Sequence, residues 1–391
     1  MTGPNSRTPP QQAYAEPDVV PVPVRNIWLL QLFASELYRS QGEDLSGAES
    51  APEDLPELVA DILADEVTRR LHTGLSIGFS RTSADIRRVR GRIDLLSTHR
   101  RQLLKRGMIR CEFDETLTDT PGNRLVKAAL ERAAVLVPGV SRYRALALQL
   151  TAAGVVGPSP RLADVPSLRR QRLLARDQLM LAAAELVLTL SIPDQSQRET
   201  AFHAPYDSDE YLRDLFERAA FGFYRLRLKT DGWQVEHSKK LTWTVDRQSE
   251  GMQAIFPGMK TDIILMKPPN QPNNSLGRRI VIDTKFTSIT SAGWYRKNSL
   301  KSGYVYQIYA YLLSQSPQET TSEKSEGLML HPVVHGHVDE EIVIQGHRIR
   351  FATVDLQADA RSLSNQLLEA IRPPLDDLDS QDFQAKSESA T

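Results

Sequence analysis

The stretch that decides the fold is residues 256–287, FPGMKTDIILMKPPNQPNNSLGRRIVIDTKFT. Two apolar runs, at 263–266 and 280–282, enclose a segment rich in Pro and Asn. Pro and Asn favour turns and interrupt strand ladders, whereas the apolar runs favour strands. The stretch therefore predicts a β-hairpin with a polar loop.

Three ionisable residues interrupt the apolar runs of this hairpin: Asp262, Asp283 and Lys285. A charged side chain within a core strand is unfavourable unless a metal, a partner or water satisfies it. Because side chains alternate between the two faces of a strand, Asp283 and Lys285 share a face. If the strands pair antiparallel with Met266 opposite Arg279, Asp262 lies opposite Asp283.

This arrangement admits two interpretations. Paired carboxylates bind a hard divalent cation such as Mg²⁺. Such a cation activates water and neutralises phosphate charge, while a lysine orients the water or stabilises developing charge. The hairpin is then a site of metal-dependent phosphodiester hydrolysis. The alternative is an ordinary ion pair at the ends of two surface strands.

Composition limits the classes of protein that the chain can belong to. Its 391 residues suffice for two domains, and its net charge of −1 gives no global signature of nucleic-acid binding. Any DNA contact requires a local basic patch or a partner. Cys111 is the only cysteine, which excludes an intramolecular disulfide and a cysteine-based zinc site.

The compartment is predicted from the same composition. No apolar run approaches the roughly 18 residues that span a bilayer, and the N-terminus lacks the apolar core of a signal peptide. A single cysteine suits a reducing environment. We therefore expect a cytoplasmic protein with no membrane segment.

The chain is expected to divide into four parts. Polar, Pro-, Ser- and Gln-rich composition predicts disordered tails at residues 1–20 and 374–391. The sequence SIPDQSQRET, at 191–200, breaks a long helical pattern and marks the boundary between domains at 21–195 and 196–373. The second domain reads helix, strands, hairpin, helix and strands, which is the order of an α/β fold with a mixed sheet.

Two charged clusters in the first domain each have two interpretations. Residues 81–110 contain ten Lys or Arg and two Asp, which fits either a surface for phosphate or an acidic partner, or a solvated face. Asp114 and Glu115 fit either a metal site or a cluster of capping and turn residues. For these two residues the pattern favours the capping interpretation. A helix is expected from Asn123, with a cap at residues 118–120 and Pro121 at its first position.

Two helices of the second domain carry further candidate residues. Glu217 lies on an amphipathic helix but off its apolar face. Gln307 and Tyr311 are four residues apart on a helix at 304–314 and therefore share a face. The chain has no G-x-x-x-x-G-K-[ST] phosphate loop. If it acts in a nucleotide-driven process, another chain supplies the motor.

These residues support a resemblance. The order of Glu217, Asp262, the Asp283–Lys285 triplet and Gln307 resembles the PD-(D/E)xK nuclease core, although Thr261 stands where that signature has Pro. The stretches PVRNIWLLQLFASELY, RGRID, CEFDETLTDTPGNRLVKAAL, TDIIL, VIDTKF and GLMLHP are similar to the McrC family. McrC proteins are the nuclease subunits of McrBC modification-dependent restriction systems. The resemblance covers residues 22–356.

The resemblance implies a fold and a partner. It implies a C-terminal PD-(D/E)xK nuclease core, a mixed sheet flanked by helices, preceded by an α+β N-terminal domain for partner docking. McrC proteins cut DNA together with McrB, a GTP-hydrolysing AAA+ ring that recognises methylated cytosine. The N-terminal part docks into the ring and stimulates its GTPase. The implied partners are an AAA+ GTPase of McrB type and double-stranded, methylated DNA; the implied cofactor is Mg²⁺.

The resemblance also implies residue roles. Asp262 and Asp283 correspond to metal ligands and Lys285 to the catalytic lysine. Glu217 corresponds to an accessory acid on the first core helix, with a plain surface role as its alternative. Gln307 corresponds to a supporting polar group.

Two other functions are compatible with the sequence. One is a non-catalytic activator of an AAA+ partner with a decayed nuclease fold, which the retention of Asp262, Asp283 and Lys285 disfavours. The other is a standalone nuclease of the same fold.

Overall fold

The structure is a computed structural model that describes residues 22–41, 54–161, 177–190, 209–243, 245–269, 277–291, 299–315 and 324–373. The expected tails and the expected boundary at 191–200 lie outside these residues. The chain forms two compact units: Val24–Thr230 with Asp359–Arg361, here called the N-terminal unit, and Asp231–Ala358 with Ser362–Thr391 and Met1–Pro23, here called the sheet unit.

The N-terminal unit is mainly helical. Its helices are α1 (Val24–Ala34), α2 (Glu36–Gln41), α3 (Leu55–Thr73), α4 (Leu95–Arg100), α5 (Pro121–Leu136), α6 (Ser141–Ala152), α7 (Gln178–Thr189) and α8 (Asp209–Arg227), and its strands are β1 (Gly78–Ile86), β2 (Arg92–Ile93) and β3 (Ile109–Leu117). The strands form an antiparallel sheet in the order β1-β3-β2. The N-terminal unit therefore combines helices with one small sheet.

Helix α8 packs closely on α1. Phe33 and Phe223 are fully buried with ring centroids 5.3 Å apart. A Cβ at Gly222 would lie 1.9 Å from the carbonyl oxygen of Phe33, so only glycine permits this approach. Gln31 adds hydrogen bonds to the Thr189 carbonyl (3.1 Å) and the Tyr211 hydroxyl (3.0 Å). These contacts hold α8 in the N-terminal unit, whereas the expected boundary placed it in the second domain.

The loop before α5 is held by Asp119 rather than by Asp114 and Glu115. Asp119 accepts two hydrogen bonds from Arg124, each 2.8 Å long, and others from the backbone of Val156 and Gly157. Arg124, the largest contributor, and these backbone donors lower the pKa of Asp119 to about 2. Asp114 and Glu115 are exposed residues of β3, so the expectation of a capping role for them was wrong.

Helix α5 begins as predicted. Thr120 is its N-cap residue, and the Thr120 hydroxyl accepts a hydrogen bond from the backbone of Asn123 (3.2 Å). Pro121 occupies the first turn, where a backbone N–H has no partner within the helix. The N–H that proline lacks is therefore not needed there.

The sheet unit is built on a six-stranded mixed sheet. Its elements are β4 (Gln234–His237), β5 (Lys240–Leu241), α9 (Met252–Ile255), β6 (Met259–Lys260), β7 (Ile263–Lys267), β8 (Arg278–Thr284), β9 (Thr290–Ser291), β10 (Ser299–Leu300), α10 (Ser302–Gln315), β11 (Glu326–Pro332), β12 (Asp339–Ile344), β13 (His347–Val354) and α11 (Ala360–Ala370). The strand order is β12-β13-β11-β8-β7-β4, with β8, β11 and β13 parallel and the other pairs antiparallel. The predicted mixed α/β class is confirmed.

The predicted hairpin is confirmed together with its register. Strands β7 and β8 pair antiparallel with Met266 opposite Arg279. The ladder ends at the pair of Ile263 and Ile282. The next position on the two strands brings Asp262 level with Asp283.

Helix α10 covers one face of this sheet. Its residues Ile308 and Leu312 form a core with Val281, Met329 and other apolar residues of the central strands. The opposite face carries an ion network in which Arg278 and Arg348 share Glu326, and both guanidinium groups donate to the Arg372 carbonyl after α11. None of the helices in the described ranges is long and apolar enough to cross a membrane.

Candidate active site

Asp262 stands at the open end of the hairpin. Its Oδ2 accepts hydrogen bonds from the backbone N–H of Thr284 (2.7 Å) and from the Thr284 hydroxyl (2.9 Å). Its carbonyl accepts from the backbone of Ser238 (2.8 Å). The carboxylate is thereby fixed across the end of β8, at the residue that follows Asp283.

Asp283 is the buried acid of the site, with 1% of its surface exposed. The Lys285 ammonium lies 2.5 Å from its Oδ2, and the Gln307 amide donates to its Oδ1 over 3.0 Å. An ionised carboxylate is strongly unfavourable in a protein interior unless such partners compensate for lost water. The predicted common face of Asp283 and Lys285 is confirmed by their ion pair.

Lys285 lies where β8 meets solvent. Its backbone N–H donates to the Leu330 carbonyl (3.0 Å), which continues the pairing of β8 with β11 by one residue. Its side chain remains 22% exposed, and its ammonium is 5.9 Å from the ring centroid of Tyr304. The Lys285 side chain therefore extends from the buried carboxylate of Asp283 to the protein surface.

Helix α10 supplies Gln307 and Tyr311, and the shared face that their spacing predicts is confirmed. Gln307 donates both to Asp283 and to the hydroxyl of Tyr311 (2.7 Å). Tyr311 is buried, and burial is the main reason that its pKa is raised above the ordinary tyrosine value. Tyr311 therefore stays protonated at neutral pH.

A second polar group borders Lys285 on the same face. His331, on β11, is fully buried, and its Nδ1 lies 2.9 Å from the Thr287 carbonyl oxygen. Its ring packs against Tyr304 at 5.3 Å, and the Tyr304 hydroxyl bonds to the hydroxyl of Thr287 (3.0 Å). Burial lowers the pKa of His331 to about 4; the Lys285 and Lys301 ammonium groups lower it further, against the effect of the Thr287 carbonyl.

The structure thus brings four of the five predicted site residues into the sheet unit, namely Asp262, Asp283, Lys285 and Gln307. Glu217 belongs to α8 in the N-terminal unit and is partly buried there. Three contributors were not predicted: Thr284, Tyr304 and His331. The histidine lies in the GLMLHP stretch, but its sequence pattern indicates only a buried strand.

The donor set fits a hard cation better than zinc. Mg²⁺ is commonly held by one or two carboxylates and completes its coordination with water or phosphate oxygen. Asp262 and Asp283 meet that requirement from adjacent strands. Among the described residues no group of three or more His, Cys, Asp or Glu is placed to hold a metal ion.

The fold and the site define an α/β protein whose central hairpin carries a buried cluster of a carboxylate and a lysine. The same chain also forms a mainly helical unit. Residues 19–322 match the family model described as McrBC 5-methylcytosine restriction system component. The chain belongs to this family, and the resemblance drawn from its motifs is confirmed.

One relative and two solved structures also match the chain. The type IV methyl-directed restriction enzyme EcoKMcrBC of Escherichia coli K12 is 22% identical over 359 residues, which are 89% of this chain and 97% of that protein. A half-complex of Thermococcus gammatolerans McrB AAA+ hexamers with bound McrC matches with a TM-score of 0.38 and 14% identity, over 81% of this chain and 68% of that chain. The T. gammatolerans McrBC complex matches with a TM-score of 0.32 and 16% identity, over 53% and 58%. The family assignment depends on the sequence match alone.

Proposed function

We propose that this protein is the DNA endonuclease subunit of a restriction system and that it hydrolyses phosphodiester bonds with Mg²⁺ in the sheet unit. The observation that carries the proposal is Asp283, buried at the end of a core hairpin between Lys285 and Gln307, with Asp262 on the adjacent strand. A PD-(D/E)xK type of core accounts for this combination. Its occurrence in a family of restriction components supports nuclease chemistry over a purely structural ion pair.

Each side chain has a distinct part in the proposed reaction. Asp262 and Asp283 hold Mg²⁺, which when bound supplies charge neutralisation at the phosphate and activation of water. Thr284 and Gln307 fix the two carboxylates before substrate arrives, so little reorganisation is required during the reaction. Lys285 places a positive charge at the surface edge of the site, where it stabilises charge that develops on the phosphate.

We further propose a partner, an AAA+ GTPase of McrB type, and methylated double-stranded DNA as the substrate. The related E. coli protein is a methyl-directed restriction enzyme, and both solved structures are of McrBC assemblies. This chain has no phosphate-loop motif of its own. The N-terminal unit docks on the partner and stimulates its GTPase, while the sheet unit cuts.

The basic region of the N-terminal unit supports the docking role. Nine of its ten Lys and Arg residues are exposed on and around the small sheet. Large apolar side chains are exposed among them, including Phe79 (73%), Leu95 (72%) and Leu96 (80%). A merely solvated face has no need of such apolar residues, whereas protein interfaces combine them with arginine. We name this surface, residues 79–106, the arginine surface.

The decisive experiment combines the protein with its partner, GTP, Mg²⁺ and methylated plasmid. We expect Asp283→Ala and Lys285→Ala each to reduce cutting at least about a thousandfold while GTPase stimulation stays at the wild-type level. The matched control is Glu340→Ala, which removes an exposed acid of edge strand β12.

Cutting by both variants at the wild-type rate would show that the assigned site is wrong. Loss of GTPase stimulation in variants that fold normally would contradict the division of labour between the units. Efficient cutting of plasmid by the protein alone would favour a standalone nuclease.

A further inference from the structure

His331 and Lys285 are neighbours on adjacent strands. Strand β11 runs parallel to β8 with Leu330 level with Thr284, and the Lys285 N–H to Leu330 carbonyl bond extends this register. His331 therefore comes level with Lys285. Met329, two residues before His331, faces the core under α10, so His331 and Lys285 lie on that same face.

Tyr304 gives independent evidence that these two side chains are close. The Lys285 ammonium is 5.9 Å from its ring centroid, and the His331 ring centroid is 5.3 Å from it. The Tyr304 hydroxyl is anchored to Thr287. One fixed aromatic ring is thus shared by the lysine and the imidazole.

His331 presents a lone pair that has no partner among the residues that the structure describes. A carbonyl oxygen only accepts hydrogen bonds, so Nδ1, which faces the Thr287 carbonyl, carries the proton. In a neutral imidazole Nε2 is then an acceptor, and within the described residues it has no hydrogen-bond partner although the side chain is fully buried. Buried polar atoms without partners are rare in proteins and call for a functional explanation.

Cation binding would displace Lys285 from its present partner. The Lys285 ammonium lies 2.5 Å from Oδ2 of Asp283. Mg²⁺ binds carboxylate oxygen at about 2.1 Å. An ammonium and a divalent cation on the same carboxylate repel each other strongly at such distances. The released ammonium then takes another acceptor, which is either water or a protein group on the same face.

We propose that Nε2 of His331 is this acceptor, so that Lys285 moves from Asp283 to His331 when a divalent cation occupies the carboxylates. His331 is then a positioning residue that keeps the lysine in the site. The inference depends on the proposed function, since it takes Asp283 as a cation ligand.

The test uses the full chain alone, without DNA or partner, and ¹⁵N-labelled histidine. NMR reports the Nε2 chemical shift of His331, which changes when that nitrogen accepts a hydrogen bond; the His331→Asn spectrum assigns the signal among the eight histidines. His347 is a matched internal control because it is also buried and its Nδ1 also bonds to a carbonyl, that of Ser325 at 2.8 Å.

We expect Mg²⁺ to shift the His331 Nε2 signal while that of His347 stays unchanged. Asp283→Ala releases the lysine and should show the shifted signal without Mg²⁺. In Lys285→Met, the His331 Nε2 signal should stay unshifted both with and without Mg²⁺. An unshifted signal in Asp283→Ala, or in wild-type protein whose Mg²⁺ binding is verified by calorimetry, would overturn the inference and leave the proposed function standing.

A shifted signal in Asp283→Ala together with no Mg²⁺ binding by the wild-type protein in calorimetry would support the acceptor role and overturn the metal site. In the cutting assay, His331→Phe should lower the rate at saturating DNA about tenfold with GTPase stimulation unchanged, and His331→Gln, which retains an acceptor, should restore part of it. If His331→Phe fails to fold, the NMR measurements on wild-type protein and Lys285→Met still decide the question.

Discussion

At the scale of single residues, the site depends on compensation of one buried charge. Asp283 has a cation on one oxygen and an amide donor on the other. The sequence places Lys285 on the same strand face as Asp283, whereas Gln307 comes from helix α10. The amide also bonds to Tyr311, so Gln307 holds one fixed orientation. The rigidity of the carboxylate therefore depends on Gln307 as much as on Lys285.

Replacing Gln307 tests this dependence. We expect Gln307→Leu to lower the free energy of unfolding by about 1–3 kcal/mol, because the buried carboxylate loses a donor. Cutting should fall about tenfold. Urea unfolding and the plasmid assay measure the two effects. Gln357→Leu, at an exposed position of the same unit, is the control; equal stability and activity of Gln307→Leu and wild-type protein would refute the assignment.

At the scale of secondary-structure elements, helix packing is decided by a single small residue in the N-terminal unit. The backbones of α1 and α8 approach so closely at Gly222 that even a methyl group meets the Phe33 carbonyl. The buried pair of Phe33 and Phe223 beside this point requires the same close approach. Separation of the two helices would open the aromatic core between them.

We therefore expect Gly222→Ala to lower the stability of the N-terminal unit by about 1–3 kcal/mol, as overpacking of a core does. Thermal unfolding followed by circular dichroism should show the loss. Gly303→Ala is the matched control, since Gly303 also lies in a helix and a Cβ there meets nothing within 4 Å. A Gly222→Ala protein as stable as the control would contradict the close packing.

Local sequence pattern predicted the helices and strands, whereas long-range contacts decide how these elements pack on one another. The alternation and turn residues around Asp262 and Asp283 were enough to predict the hairpin and its register, because strand periodicity and loop composition are local properties. The amphipathic pattern of α8 also predicted a helix. It did not indicate that α1 covers the apolar face, since an apolar face has no preference for one partner over another.

The same limit applies to the site. The residues that pair within the hairpin, or four apart on one helix, could be predicted. His331 and Tyr304 could not, because their contact depends on the parallel pairing of β8 with β11 and on the position of α10, which are separated from the hairpin by many residues. The loop contacts of Asp119 were not predicted for a similar reason: two of its partners are backbone N–H groups at Val156 and Gly157.

At the scale of the whole molecule, the net charge is close to zero although the charged residues are unevenly distributed. The chain carries a net charge of −1, yet the arginine surface concentrates positive charge in one part of the N-terminal unit. Such a surface accelerates association with an acidic partner and weakens with added salt. In the proposed function, partner recruitment belongs to the N-terminal unit and bond cleavage to the sheet unit.

Charge reversal on the arginine surface tests that separation. We expect the double variant Arg87→Glu/Arg88→Glu to reduce GTPase stimulation at least about tenfold without loss of stability, because both residues are exposed. GTP hydrolysis by the partner, measured without DNA, gives the readout. Arg247→Glu, an exposed arginine of the sheet unit, is the control. Unchanged stimulation in the double variant would locate the docking surface elsewhere.

The central position of β8 has a consequence for control of the reaction. The strand is held on one side by antiparallel β7 and on the other by parallel β11, so its register is fixed from both edges. A shift of one residue would turn Asp283 to the opposite face and break both ladders at once. A partner therefore has no low-energy way to switch cutting by sliding the carboxylate strand. In the proposed function, control therefore acts on what enters the site, through delivery of DNA and of the divalent cation.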